Sequence, residues 1–527
     1  MFTGLRAVLR AFFELAETAL DKLFGPKLNP FGQLGAVGFF LFWIVTVSGL
    51  YLFIVFDTGL QNAYGSVEWF TRDHWYHAGV MRSLHRYASD LMVVMMFLHL
   101  LREFAYDHYR GKRWFSWFTG LPVIWMVYIS GITGYWLVWD VLAQYVAITS
   151  TELLDFIPIF GEPIARNFLA DGALSSRFFT LLIFLHVAVP LILLFIMWVH
   201  IQRISRPKVN PPRLLAGTML AALIIVSLYS PAVSQGPADL STVPSPVGLD
   251  WFFLPLYPIA DMSPAALWGI LVFFSLLIAI MPWLPPMRKA KPAEINLEHC
   301  NGCNRCVEDC PYEALRLVNR TDGLPYSRQV AINPDKCVSC GICMGACPSS
   351  TPFRRAPVLH TGIDLPDLSL TDLREQVHEV GAKIRDNADG PRIMTLACEH
   401  GAAGKSKSGA VKMPCVAMAP PSLIDYILAR DLADGVVIAG CAERSCFNRL
   451  GAQWTLERFA GERDPYLRKR VPRERITTIW ASKLERPRFN REYDAFKTAL
   501  ADMPDKSDTE QDTPRRSRLI TEQEESQ

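Results

Sequence analysis

The sequence predicts a multi-domain chain: an all-α membrane bundle of six transmembrane helices, a small α+β domain and an α/β open-sheet domain. Half of the 527 residues are apolar and only 20% are charged, which excludes a disordered chain and disfavours an ordinary soluble enzyme. The charge is uneven, since Ser176 to Met287 holds only Arg177, Arg203, Arg206, Lys208, Arg213, Asp239, Asp250 and Asp261. All twelve cysteines lie at or beyond Cys300, so they belong to an aqueous half. A net charge of +2 offers no field for a polyanion, and no nucleic-acid partner is expected.

The elements follow in order. Phe2 to Phe24 reads as an amphipathic helix suited to a membrane surface, within a segment 1–30. Apolar runs able to cross about 30 Å of hydrocarbon occupy 34–55, 79–104, 115–139 and 178–202, making a four-helix bundle over 31–210. Two more, at 214–234 and 264–285, fill 211–287. Arg6, Arg10, Lys22 and Lys27 precede the first span. Arg102, Arg110, Lys112 and Arg113 lie between the second and third, and Arg203, Arg206, Lys208 and Arg213 between the fourth and fifth. Between the first and second spans there is only Arg72, and 231–262 has no Lys or Arg. The positive loops predict a bacterial inner-membrane protein with both termini cytoplasmic.

Histidine inside a span is costly, so each one is a functional candidate. The second span carries His85 and His99, the fourth His186 and His200. Both pairs are 14 residues apart, about 21 Å of rise and roughly 40° short of whole turns. Each pair therefore lies along one helix face, and two such faces offer two bis-imidazole sites of the kind that holds haem. Gly35 and Gly49 in the first span, and Gly120 and Gly134 in the third, repeat the 14-residue period. Glycine leaves room for a porphyrin face. Arg82, Arg86 and Arg102 stand a turn or less from a ligand, placed either to pair with haem propionates or to snorkel at the interface.

These features make the chain resemble cytochrome b of the quinol-oxidising bc complexes, especially the short form of photosynthetic membranes. The resemblance runs through "MRSLHRYASDLMVVMMFLHLLREF" (81–104), "TGLPVIWMVYISGITGYWLVWD" (119–140) and "FLHVAVPLILLFIMWVH" (184–200). Residues 214–285 look like that family's separate C-terminal subunit, fused on. The resemblance implies two haem b groups, His85 with His186 nearer the outside and His99 with His200 nearer the cytoplasm. It also implies quinone as substrate and a homodimer. The family's Pro-Glu-Trp-Tyr quinol motif aligns with Leu249-Asp250-Trp251-Phe252, so Asp250 is the candidate catalytic carboxylate, one methylene shorter. Asp250 also has the makings of a cap for "WFFLPLY". The cysteine that anchors an extra haem in the photosynthetic relatives falls at Gln33, and no third, covalent haem is expected.

Past a Pro-rich basic exit, "PWLPPMRKAKPAE" (282–294), the segment 288–355 repeats C-x2-C-x2-C-x3-C-P. The first run is Cys300, Cys303, Cys306 and Cys310, the second Cys337, Cys340, Cys343 and Cys347. In such runs three thiolates take one [4Fe–4S] cluster and the fourth crosses to the other. The expected sets are thus Cys300, Cys303, Cys306 and Cys347, and Cys337, Cys340, Cys343 and Cys310, in a ferredoxin-like α+β domain. Disulfides are unsuited to a cytoplasmic domain, and structural zinc does not explain the duplication.

A linker is expected over 356–390 and a disordered tail over 491–527. Between them, "RIMTLAC", "VKMPCVAM", "DGVVIAGC" and "RITTIWAS" read as short buried strands alternating with helices. Cys398, Cys415, Cys441 and Cys446 fall at or just past strand ends, where an open parallel sheet places its sites. By spacing these four thiolates suit a [2Fe–2S] cluster or zinc equally. "PSLIDYILARDLADGVVIAGCAERSC" (421–446) resembles the delta subunit of methyl-viologen-reducing hydrogenase, which favours [2Fe–2S] over 391–490. The early C-x2-C of relatives has Gly401 at its second position, and His400 beside it is an alternative ligand.

No nucleotide-binding fingerprint or hydrolytic signature is found. The expected function is a membrane wire from a cytoplasmic flavoprotein or dehydrogenase, through one [2Fe–2S], two [4Fe–4S] and two haem b, to membrane quinone, or the same path in reverse. The alternative is a redox-sensing or scaffold protein that docks a soluble redox partner.

Overall fold

The computed structural model describes residues 3–158, 163–165, 176–202, 204, 206–242, 247–285, 290–350, 359–386, 390–405 and 409–503. The chain divides into two compact units, one up to Ala290 together with Pro311–Glu313 and one made of the rest from Lys291 onward.

The first unit is helical. α1 (Thr3–Phe24) leads to α2 (Leu34–Val55), α3 (Ala63–Arg72), α4 (Val80–Ala105), α5 (Trp114–Val138) and α6 (Val141–Asp155). α7 (Ser176–Ile201), α8 (Arg213–Tyr229), α9 (Tyr257–Met262) and α10 (Pro264–Ile280) follow. α2 packs along α4 and α5 along α7, around a core that includes Val37, Leu41, Leu84, Val127 and Leu193. Leu5, Val8, Phe12 and Leu15 of α1 are exposed, as an interfacial face requires, while Glu14 and Glu17 are buried. Pro30–Val55, Gly111–Val138, Ser176–Ile201 and Pro264–Trp283 are long and apolar enough to cross a membrane. The other two expected spans are helices of a different character. α4 has 26 residues but carries Arg82, Arg86, Asp90, Arg102 and Glu103, and α8 has only 17.

The second unit contains sheets. β1 (Glu294–Ile295) pairs antiparallel with β4 (Ile363–Asp364), and β2 (Leu315–Asn319) with β3 (Arg328–Ile332). The one-turn helices α11 (Arg305–Glu308) and α12 (Ile342–Ala346) sit within the two cysteine runs. Next come α13 (Leu370–Asp386), β5 (Ile393–Cys398), β6 (Ala410–Met413), α14 (Pro421–Ala429), β7 (Gly435–Gly440), α15 (Gly451–Ala460), β8 (Ile476–Trp480) and α16 (Arg486–Ala501). β6, β5, β7 and β8 form one parallel sheet in that order. All six residues of both β5 and β7 are buried, as continuous apolar central strands demand.

Two boundaries need correction. The expected linker contains β4 and α13, whose Leu370, Leu373, Val377 and Val380 form a buried helical stripe hidden among charges. The expected tail begins inside α16, which buries Phe489 and Leu500 against the sheet beside Tyr493 and Phe496. The remainder of that tail, 504–527, and residues 356–358 and 387–389 of the linker lie outside the described residues.

At the end of β7 the Trp480 ring occupies the space where Gly440 would carry a side chain; a Cβ there would lie 2.0 Å from Cζ3. Gly440→Ala should lower stability by about 1–3 kcal/mol, read as a drop in thermal midpoint of the purified full-length protein.

Candidate functional site

The four histidines occur as two facing pairs, with α4 supplying His85 and His99 and α7 supplying His186 and His200. The His85 and His186 ring centres are 6.4 Å apart with planes at 62°. Metal–imidazole bonds of about 2 Å, with each ring centre about 1.2 Å behind its nitrogen, would separate two such rings by about 6.4 Å. His200 lies within electrostatic reach of His99.

Three of the rings are oriented from behind. His85 Nδ1 is 2.9 Å from the Val45 carbonyl oxygen and 3.2 Å from Ser48 Oγ. A carbonyl only accepts, so Nδ1 carries the proton and Nε2 offers its lone pair, the form a metal-binding imidazole needs. His186 Nδ1 is 3.1 Å from Thr133 Oγ1, and His200 Nδ1 is 3.1 Å from Thr119 Oγ1. The glycines lie against all four rings. A Cβ would fall 3.5 Å from His99 Cε1 at Gly35, 2.9 Å from His85 Cε1 at Gly49, 3.4 Å from His200 Cε1 at Gly120 and 3.0 Å from His186 Cε1 at Gly134. The space they create is thus used first by the imidazole edges. Sequence reasoning missed the hydroxyl partners, although Ser48-Gly49, Thr119-Gly120 and Thr133-Gly134 repeat one dipeptide pattern.

The arginines are engaged within the protein. Arg82 donates to Thr71 Oγ1 and to Ser234 Oγ at 2.8 Å. Arg86 Nε donates to Asp90 Oδ2 at 3.1 Å, its Nη2 is 3.3 Å from Asp250 Oδ1, and its guanidinium lies over Tyr135. Arg102 Nε donates to Glu17 Oε1 at 2.9 Å, yet its buried Nη2 has no partner among the described residues. That orphaned donor, three residues past His99, fits an anionic group such as a propionate. Asp250 is 8% exposed and saturated. Its Oδ1 accepts from Phe252 N–H and its Oδ2 from Phe253 N–H, both at 3.0 Å, and Oδ2 also accepts from the Tyr135 hydroxyl. It caps a turn, while the nearby helix begins only at Tyr257. Asp90, a buried acid that sequence reasoning passed over, stands on the other side of Arg86.

In the second unit Cys300, Cys303, Cys306 and Cys347 line one pocket. Burial and the thiols of Cys347, Cys303 and Cys300 push the Cys306 thiol up. Cys343 is pushed up by burial and by Cys340, Cys306, Cys310 and Cys337. Cys347 is thus grouped with the thiols of the first run and Cys310 with those of the second, and Cys306 is within electrostatic reach of Cys343. Gly302 and Ser339 hold φ of 66° and 57°, and Asn304 and Gly341 hold 68° and 74°. These left-handed residues recur at equal offsets in both runs and wrap each loop inward. The Ala314 amide lies 3.3 Å from Cys310 Sγ, a donor suited to a thiolate.

Cys398 ends β5, Cys415 follows β6, and Cys441 and Cys446 follow β7; all four are buried. Cys441 donates toward its neighbours, which lowers the Cys398 thiol and brings that of Cys446 down to about 7. Amides of Ala452, Asn448 and Gly451 at the start of α15 add to the shift at Cys446. A Cβ on Gly451 would lie 2.5 Å from Cys415 Sγ and 3.7 Å from Cys446 Sγ, so the glycine keeps the cradle open. This donor set fits a thiolate-ligated iron or zinc group. His400 is stacked on Phe447 at 3.6 Å between ring centres. A Cβ on Gly401 would lie 2.6 Å from the Gly440 oxygen, which leaves no room for a second cysteine there.

Residues 19–207 match the family Cytochrome b/b6/petB, 299–351 the 4Fe-4S dicluster domain, and 388–503 the methyl-viologen-reducing hydrogenase delta subunit. Cytochrome b of Rhodospirillum rubrum is 24% identical over 291 residues, covering 49% of this chain and 71% of the relative. The menaquinol:cytochrome c reductase cytochrome b subunit of Geobacillus thermodenitrificans is 29% identical over 183 residues, covering 34% and 80%. A chain of a hyperthermophilic respiratory Complex III aligns over 47% of this chain and 74% of its own, with 19% identity and a TM-score of 0.39. Taken in order, the matches are to a cytochrome b domain, a 4Fe–4S dicluster domain and a hydrogenase delta-subunit domain, a combination that supports a membrane electron-transfer subunit.

Proposed function

We propose that the chain links a cytoplasmic flavoprotein or dehydrogenase to the quinone pool of a bacterial inner membrane, with both termini cytoplasmic. The observation that carries this is the pair of stacked bis-histidine sites on α4 and α7, joined in one chain to three four-cysteine sites. Bound there, haem and iron–sulfur groups supply one-electron steps. In this reading His85 and His186 hold one haem b and His99 and His200 the other. Cys300, Cys303, Cys306 and Cys347 hold one [4Fe–4S]; Cys310, Cys337, Cys340 and Cys343 hold the second. Cys398, Cys415, Cys441 and Cys446 hold a [2Fe–2S]. Arg102 turns its spare donor to a propionate of the haem beside His99. Quinone and quinol interconvert on the His85 side with two electrons and two protons. Asp250 exchanges one of the protons, in either direction, giving up its hydrogen bond from Tyr135 to do so, and the other proton exchanges with solvent.

The reading is tested by adding a soluble quinone analogue to dithionite-reduced protein. Reoxidation of the haem is expected, and a haem that stays reduced overturns the quinone link. Three variants sharpen it. Gly134→Val pushes the His186 ring from its slot and should halve the haem content while leaving the other haem spectrum unchanged. Asp250→Asn keeps one of the two turn hydrogen bonds and both haems but should slow quinone-coupled haem turnover about 100-fold, the scale of a general base; a wild-type rate would remove Asp250 from the reaction. Cys415→Ser in the full-length protein should cost about two irons per chain without releasing zinc, and zinc loss in its place would reassign that site.

A further inference from the structure

The second unit buries a charged group where its two cysteine-rich parts meet. Arg458 of α15 is 1% exposed. Its Nη1 donates to the Ala417 oxygen at 2.8 Å, two residues past Cys415, and its Nη2 to Asp309 Oδ2 at 2.5 Å, one residue before Cys310. Asp309 is 2% exposed and accepts at its other oxygen from Arg463 Nη1 at 2.5 Å; Arg463 Nε in turn donates to Glu457 at 2.6 Å. The two arginines are balanced by Asp309 and Glu457, and Arg458, whose Nε lacks a partner among the described residues, is the fully buried cation of the cluster, standing between the two sites. The backbones come as close as they can here. A Cβ on Gly345 of α12 would lie 2.1 Å from the Ala417 oxygen and 2.8 Å from Arg458 Nη1. Cys415 packs with Ile342, Ala417 and Trp454, against Cys340, and is within electrostatic reach of both Cys340 and Arg458.

A lone ion pair in such a place would be a poor stabiliser, because desolvating it costs as much as the attraction returns. Between two thiolate-ligated sites the buried guanidinium of Arg458 has another effect. Each site gains negative charge on accepting an electron, and a guanidinium in low dielectric favours that reduced form.

We propose that Arg458 is a positioning and potential-setting residue shared by the Cys398/Cys415/Cys441/Cys446 site and the Cys310/Cys337/Cys340/Cys343 site, which makes the latter the first recipient of electrons leaving the former. This rests on the iron–sulfur reading of both sites. The step transfers one electron from the reduced four-cysteine site of the sheet to the oxidised dicluster site, with no bond made and no proton moved.

The experiment is a redox titration of full-length, detergent-purified protein followed by electron paramagnetic resonance, with iron content measured in parallel. Wild type should show both reduced centres with broadening from mutual spin coupling. Arg458→Met should keep the iron and lower the reduced-to-oxidised ratio of both centres at a fixed potential by about tenfold, 59 mV for a one-electron couple. Arg458→Lys should return most of that shift even where thermal stability falls, which a purely structural role would not do. Asp309→Asn removes the opposing charge and should move both ratios the other way, and it carries the test if Arg458→Met fails to assemble. Potentials unchanged in Asp309→Asn, or in an iron-replete Arg458→Met, overturn the proposal. A wild-type protein with no iron signal at either site overturns the cluster reading instead.

Discussion

Lodging a flat imidazole between two packed helices is the constraint on which the membrane unit depends. Packed helix axes lie about 8–10 Å apart, too close for a ring edge unless the facing residue has no side chain. Gly35 and Gly49 of α2 face the histidines of α4, and Gly120 and Gly134 of α5 face those of α7. Helix pairing, register and ring orientation are therefore one problem. A slide of one residue would replace Gly49 by Ser48 or Gly134 by Thr133, turning a hydrogen-bonding partner of Nδ1 into an obstruction. The glycines, the hydroxyls and the carbonyl of Val45 together leave Nε2 as the free face of the ring.

Charge follows a second rule in both units: a buried ion is paired beside a candidate electron site. Arg86 is shared by Asp90 and Asp250 on the His85 side, and Arg102 draws Glu17 of α1 inward on the His99 side. An unpaired charge at membrane depth is expensive, so these partners explain why α1 is anchored by buried acids as well as by its apolar face. In the second unit Asp309 between Arg458 and Arg463 does the same beside Cys310. Polar groups that in sequence look like loop or surface residues thus end up as the electrostatic surroundings of the sites.

Much of the architecture is legible in sequence because its signals are local. A 14-residue histidine interval stays on one helix, a C-x2-C turn closes within a few residues, and β5 and β7 are short apolar runs. The misses were also local in cause: α13 hides its apolar stripe among Asp372, Lys383 and Arg385, and α16 carries its aromatics within a charged segment that composition marks as tail.

The sequence by itself determined the spacing of the candidate ligands, the order of the domains and the class of group each spacing suits, because those depend on bond geometry within one turn or helix. Only the tertiary structure decided what surrounds them. Asp250 on Arg86 and Tyr135, Glu17 on Arg102, and Asp309 on Arg458 join residues 85 to 164 positions apart. No sequence period encodes such pairs, since they arise when buried charges and open donors must find partners as the helices and sheet close around them.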